Sequence, residues 1–174
     1  MLIGFILMGI VGWLLMPVLF SLTHSAYDRK GVESICDRMF KDVRLLDSLT
    51  EEVVIVSYEY NSHQPRIFSK FTARADPETY DVPIAEAAEA SSAAPTYFDP
   101  KVIGKQVLID GGMIANEPVL YAYLHSIYSL NKTADNIRVV SIGTGIKHPD
   151  PVSPGDINAF TWLNSLQAFL TVTE

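Results

Sequence analysis

Asp110 stands directly after three apolar residues, Val107, Leu108 and Ile109, and directly before Gly111 and Gly112. A short apolar run bounded by turn residues reads as a buried strand, so the carboxylate falls where that strand stops. In open α/β sheets, sites lie outside the carboxyl ends of strands. The paired glycines would let the chain turn with positive φ and keep the space beside the carboxylate clear. An aspartate so placed could orient or deprotonate a nucleophile, hold a metal, or do no more than cap its own turn.

The rest of the chain narrows that choice. His24, His63, His125 and His148 are scattered without ligand spacing, and no H-E-x-x-H occurs, so a metal centre is not expected. The one cysteine, Cys36, can form no internal disulfide and has no basic neighbour in sequence to make it a thiolate. It reads as a core thiol. Gly143-Thr144-Gly145 lacks the third glycine of a dinucleotide fingerprint and reads as a tight turn. The net charge of −7 argues against a nucleic-acid partner, which would need a basic face. No cofactor is expected.

These residues need elements to position them. About half of the 174 residues are apolar, enough for one domain with a sizeable core. Val32, Ile35, Cys36, Met39 and Phe40 make an apolar stripe at helical spacing over Lys30 to Phe40, with Asp28 placed to cap it. Val53 to Tyr60 is rich in β-branched and aromatic residues and predicts a strand. Asn61 to Gln64 is turn-like, and Pro65 to Phe71 completes a hairpin. Ala85 to Ala94 predicts a small-faced helix stopped by Pro95. Asn116 caps, and Pro118 opens, a helix to about Tyr128 whose apolar side holds Val119, Leu120, Tyr123, Leu124 and Ile127. Ile137 to Ile142 predicts a further strand. Strand, helix, strand at this spacing implies a βαβ unit, an α/β fold with a parallel sheet.

Taken together, Ala90-Ser-Ser-Ala-Ala-Pro-Thr-Tyr-Phe98, Leu108-Ile-Asp-Gly-Gly112, Asn116, Pro118 and Val140-Ser-Ile-Gly-Thr-Gly145 resemble the C-terminal half of the patatin-like phospholipase domain. The resemblance runs from about Tyr27 to the C-terminus. It implies a three-layer α/β/α, Rossmann-like parallel sheet, here truncated on its N-terminal side. It implies a lipid acyl hydrolase working by a Ser–Asp dyad, with a lipid or membrane surface as its partner. On that pattern Asp110 matches the dyad base, and Gly111 and Gly112 match its D-G-G motif.

The nucleophile half of the pattern is absent. No serine of the chain has glycine both two residues before and two after it: Ser141 has Val139 before it, and Ser153 has Pro151. No glycine-rich oxyanion segment occurs either. Ser91, Ser92 and Thr144 fall in no recognisable elbow. The resemblance therefore implies a chain inactive alone, a second chain supplying the missing part, or a non-catalytic remnant. Met1 to Phe20 holds no charged side chain and is about long enough to cross a bilayer as a helix. It is read as a membrane-spanning or membrane-inserted segment preceding a partial domain over 21–174. The competing readings are a buried helix and a reading frame that opens inside a longer domain. A cleaved signal fits less well, because nothing basic precedes the run. Arg29 and Lys30 after it place the remainder on the cytoplasmic side. The expected location is membrane-associated, and cytoplasmic otherwise.

Overall fold

The computed structural model describes residues 25–48 and 53–143. Met1 to Phe20, Thr144 and Gly145 lie outside the described residues. Among those described, no helix is long and apolar enough to cross a membrane.

Helix α1, Lys30–Phe40, starts where Asp28 accepts a hydrogen bond from Lys30 N at 2.9 Å. Cys36 is buried, as expected, but Ile35 and Met39 are exposed, so the apolar stripe does not bury as a whole. The physical reason is its neighbour: α1 packs on a small-faced helix that covers only one edge of it.

Strands β1, Ile55–Glu59, and β2, Gln64–Phe68, form the expected antiparallel hairpin, from Ile55 opposite Phe68 to Glu59 opposite Gln64. The connecting turn passes through His63 at φ 55°, and the Tyr58 hydroxyl lies 3.0 Å from His63 Nδ1. Strand β2 stops at Phe68 rather than Phe71 because Ser69 caps the next helix. Its hydroxyl accepts from Thr72 N at 3.1 Å, and Thr72 Oγ1 accepts from Ser69 N at 3.0 Å. That helix, α2, is Lys70–Ala75, and Asp76 then caps α3, Pro77–Tyr80. Helix α4, Ile84–Ser91, is the small-residue helix.

Strands β3, Lys101–Ile103, and β4, Gln106–Asp110, are joined through Gly104 at φ 60°, a position that favours glycine. The sheet order is β2-β1-β4-β3, with α4 against β1, β3 and β4. The core gathers Leu45, Phe68, Leu108, Ala73, Ala87 and Ala90.

The α/β class stands. The pairing differs from the parallel expectation, since every ladder among the described strands is antiparallel. Ile137 to Ile142 forms no strand. Val139, Val140 and Ile142 are 54%, 82% and 90% exposed, and among the described residues no neighbour completes a ladder for them. Asn116 is also not the cap expected. A short helix α5, Gly112–Ala115, intervenes, and Asn116 itself has helical dihedrals. Pro118 precedes α6, Val119–Tyr128, which has no buried residue.

Candidate active site

Asp110 is the last residue of β4 and lies opposite Ser57 of β1. The chain after it docks on the end of α4. Asp110 N donates to Ala93 O at 3.0 Å, and Gly111 N donates to Ser91 O at 3.2 Å. Gly112 N donates to the carboxylate, at 2.7 Å from Asp110 Oδ1. That last bond is the turn-capping role the sequence left open. It occupies one carboxylate oxygen and leaves the other without a hydrogen bond among the described residues.

The paired glycines serve a purpose other than the one expected. Neither has positive φ; Gly111 sits at φ −64° and ψ −23°. At Gly111 a β-carbon would lie 2.1 Å from Val56 O, so the turn passes against the β1 backbone where no side chain fits. At Gly112 it would lie 3.1 Å from Asp110 Oδ1 and 3.2 Å from Asn116 Oδ1. Gly112 therefore clears the approach of the carboxylate to its own amide.

Asp110 opens onto a cleft of about 960 Å³. Apolar side chains form most of its wall, among them Met39 and Phe40 of α1 and Val54 and Val56 of β1 and its approach. No other charged side chain lines it among the described residues. Burial therefore raises the Asp110 carboxyl above its ordinary 3.8, and the Gly112 hydrogen bond opposes that rise. A carboxyl raised in this way is a better proton acceptor than one in water. No cluster of histidine, cysteine and carboxylate side chains that could hold a metal ion occurs among the described residues.

Ser91 and Ser92 line the same cleft, so the structure does bring hydroxyls and Asp110 to one wall. They end a helix rather than occupy a strand-to-helix elbow, and Ser92 Oγ turns back to Ala88 O at 3.0 Å. Cys36 is held as a thiol, its pKa raised by burial and then by the Glu89 carboxylate. His63 lies in the exposed hairpin turn.

Two residues of the site escaped the sequence reading. Ser57 is fully buried, and its hydroxyl donates to Ile109 O at 2.7 Å, beside Asp110. Its signal was a lone hydroxyl directly after the apolar run Val53 to Val56, within the predicted strand. Glu89, buried near the end of α4, carries no signal of its own in the alanine-rich run Ala85 to Ala94.

This arrangement defines an α/β protein with a desolvated carboxylate at a strand end, facing an apolar cleft. The model of the patatin-like phospholipase family matches residues 12–123, and the chain belongs to that family. The match opens at Gly12, inside the apolar run and earlier than the resemblance read from Tyr27, and it closes before Val140. The cUMP-AMP-activated phospholipase of Escherichia coli is 31% identical over 150 residues, covering 80% of this chain and 46% of that protein. Patatin-like protein 1 of Arabidopsis thaliana is 28% identical over 71% of this chain and 34% of its own length. The probable inactive patatin-3-Kuras 1 of Solanum tuberosum is 28% identical over 74% of this chain and 39% of its own. The chain thus spans less than half the length of these curated relatives.

Proposed function

We propose that this chain is the aspartate-bearing part of a lipid acyl hydrolase. The carrying observation is the Asp110 carboxylate, desolvated at a strand end in an apolar cleft. Asp110 takes the proton of a serine hydroxyl as that oxygen attacks the ester carbonyl. It returns the proton to the departing alcohol, and then activates the water that releases the acyl group. Gly112 N holds one carboxylate oxygen and so leaves the other for the serine. The apolar wall suits an acyl chain and, by excluding water, strengthens the base.

Neither the serine in its elbow nor the oxyanion donors are in the sequence. A base without its nucleophile contributes almost nothing, because the two act as a unit. One lost oxyanion donor alone costs about 3 kcal/mol of transition-state stabilisation. These 174 residues alone are therefore inactive and need those parts supplied, by a second polypeptide or by further sequence of the same one. Its working place is a lipid or membrane surface. The test is hydrolysis of a short-chain ester by the purified 174-residue chain, with and without a fragment bearing a G-x-S-x-G elbow. No turnover alone, turnover with the fragment, and its loss in Asp110→Asn support the reading. Turnover by the chain alone would refute the missing-nucleophile assignment.

A second reading is a non-catalytic, membrane-associated remnant that acts as an interaction module. The absent elbow favours it, and so does the likeness to a relative whose name describes it as probably inactive. Silence of every complemented mixture, together with retained binding to lipid vesicles, selects this reading.

A further inference from the structure

The carbonyl groups at the end of α4 and in the turn just after it are divided among donors from the Asp110 strand and its neighbours. Ser91 O takes Gly111 N, and Ala93 O takes Asp110 N. Ala90 O lies 3.3 Å from the Ser57 hydroxyl. The carboxylate's own turn therefore hangs on the last turn of a helix of eight residues. Ile84 anchors the start of that helix in the core, but toward its end the core-facing side chains are alanines, Ala87 and Ala90, which are short and make no directional contact.

One side chain does. Glu89 is the buried charged residue of α4, at 2% exposure. Its carboxylate meets Lys101 Nζ of β3 and lies 3.7 Å from Arg29 Nη2, just before α1. The same Arg29 nitrogen donates to Glu89 O at 3.2 Å, and Arg29 Nη1 donates to Asp99 O at 2.6 Å. Two cations from two other parts of the fold thus grip both the side chain and the backbone of one residue. Charge-assisted hydrogen bonds of this kind are directional where packing between alanines is not.

We propose that Glu89, held by Lys101 and Arg29, is a positioning residue for Asp110. The ion pairs fix the end of α4, and the carbonyls of Ser91 and, just past the helix, Ala93 then fix the Gly111 and Asp110 amides and the carboxylate's place in the cleft. The proposal rests on reading Asp110 as the working carboxylate, but its test reads no turnover. A refuted hydrolase assignment would leave the measured rates as they are.

The experiment is amide hydrogen exchange by NMR on the full chain. Lys101→Met keeps most of the apolar stem and removes the charge. The expected result is exchange at Asp110 and Gly111 faster by at least ~10-fold, as local opening. The β1–β2 ladder keeps its wild-type rates, and Lys101→Arg restores protection at both amides. Unchanged rates at Asp110 and Gly111, or an equal acceleration across the β1–β2 ladder, overturn the proposal. So does a Lys101→Arg variant that fails to restore protection. Should Lys101→Met not fold, the double variant Glu89→Leu/Lys101→Met makes the same comparison without an unpaired buried carboxylate. Full protection of Asp110 and Gly111 in that double variant also overturns it.

Discussion

Gly111 and Gly112 look equivalent in the sequence, yet they face different obstacles. A methyl group on Gly111 meets the carbonyl oxygen of Val56 at 2.1 Å, and a strand backbone cannot step aside without opening the β1–β4 ladder. A methyl group on Gly112 meets only side-chain atoms of Asp110 and Asn116 beyond 3 Å, which can rotate. Gly111→Ala should cost more than about 2 kcal/mol of stability, and Gly112→Ala less than about 1 kcal/mol. Urea denaturation of the two variants checks the order, and equal midpoints would contradict the packing argument. The carboxylate between β4 and these glycines carries a second prediction. Burial raises the folded-state pKa of Asp110 above the ordinary 3.8. The favourable contribution is thus complete below pH 3.8 and is lost as pH rises through the raised value. At neutral pH the buried charge weakens the fold. Asp110→Asn keeps an oxygen for Gly112 N and removes the charge, so its melting temperature at pH 7 should equal or slightly exceed wild type. That advantage should vanish below pH 3.8. A large drop at pH 7 would mean that the carboxylate is a structural anchor rather than a functional burden.

Among the elements, the hairpin depends on one carboxylate. Glu59 is buried and accepts from Ser62 N at 2.6 Å, Asn61 N at 3.3 Å and Val107 N at 3.2 Å, tying the β1–β2 turn to β4. The Ser62 hydrogen bond leads the effects that lower its pKa, from 4.5 to about 2, against the opposing cost of burial. Its stabilisation is present above pH 4.5 and is lost as pH falls toward 2. Glu59→Gln should lower stability at pH 7 by about 1 kcal/mol, the scale of a charge-assisted bond weakened to a neutral one. It should also flatten the acid limb of the stability curve, and a limb as steep as wild type would assign acid loss elsewhere. The elements that the sequence announces are those with a local cause: the α1 stripe, the β-branched run of β1, the alanines of α4 and the apolar approach to Asp110. Strand β3 was missed because three residues, Lys101 to Ile103, are too few to show alternation. The end of β2 was misplaced because the Ser69–Thr72 capping box outweighs the apolar character of Phe71. The antiparallel pairing of β1 with β4 joins residues some fifty positions apart, and no local pattern encodes it. For the same reason Asp110 was legible in the candidate site while Ser57 and Glu89 were not. The first stands in a motif, and the others act through contacts that exist only after folding.

At the scale of the whole molecule, the described residues leave much apolar surface in water. Leu120, Leu124 and Tyr128 of α6 are 59%, 40% and 75% exposed, and Val140 and Ile142 beyond it are more so. Among the described residues, a helix with no buried residue and a β-branched segment with no ladder leave apolar surface that favours association. They fit a chain that spans less than half the length of its relatives. The net charge of −7 opposes association over long range, but it is screened beyond about 8 Å at physiological salt, and apolar contact is decided within that distance. The isolated chain should therefore associate reversibly across the micromolar range, with sedimentation velocity giving weight-average masses that rise with concentration. Leu120→Lys with Val140→Lys places charge on both exposed segments without touching the core. It should return the chain to a monomer while its circular dichroism stays that of wild type. A wild-type chain that sediments as one monomer at every concentration would show that these side chains carry no association energy.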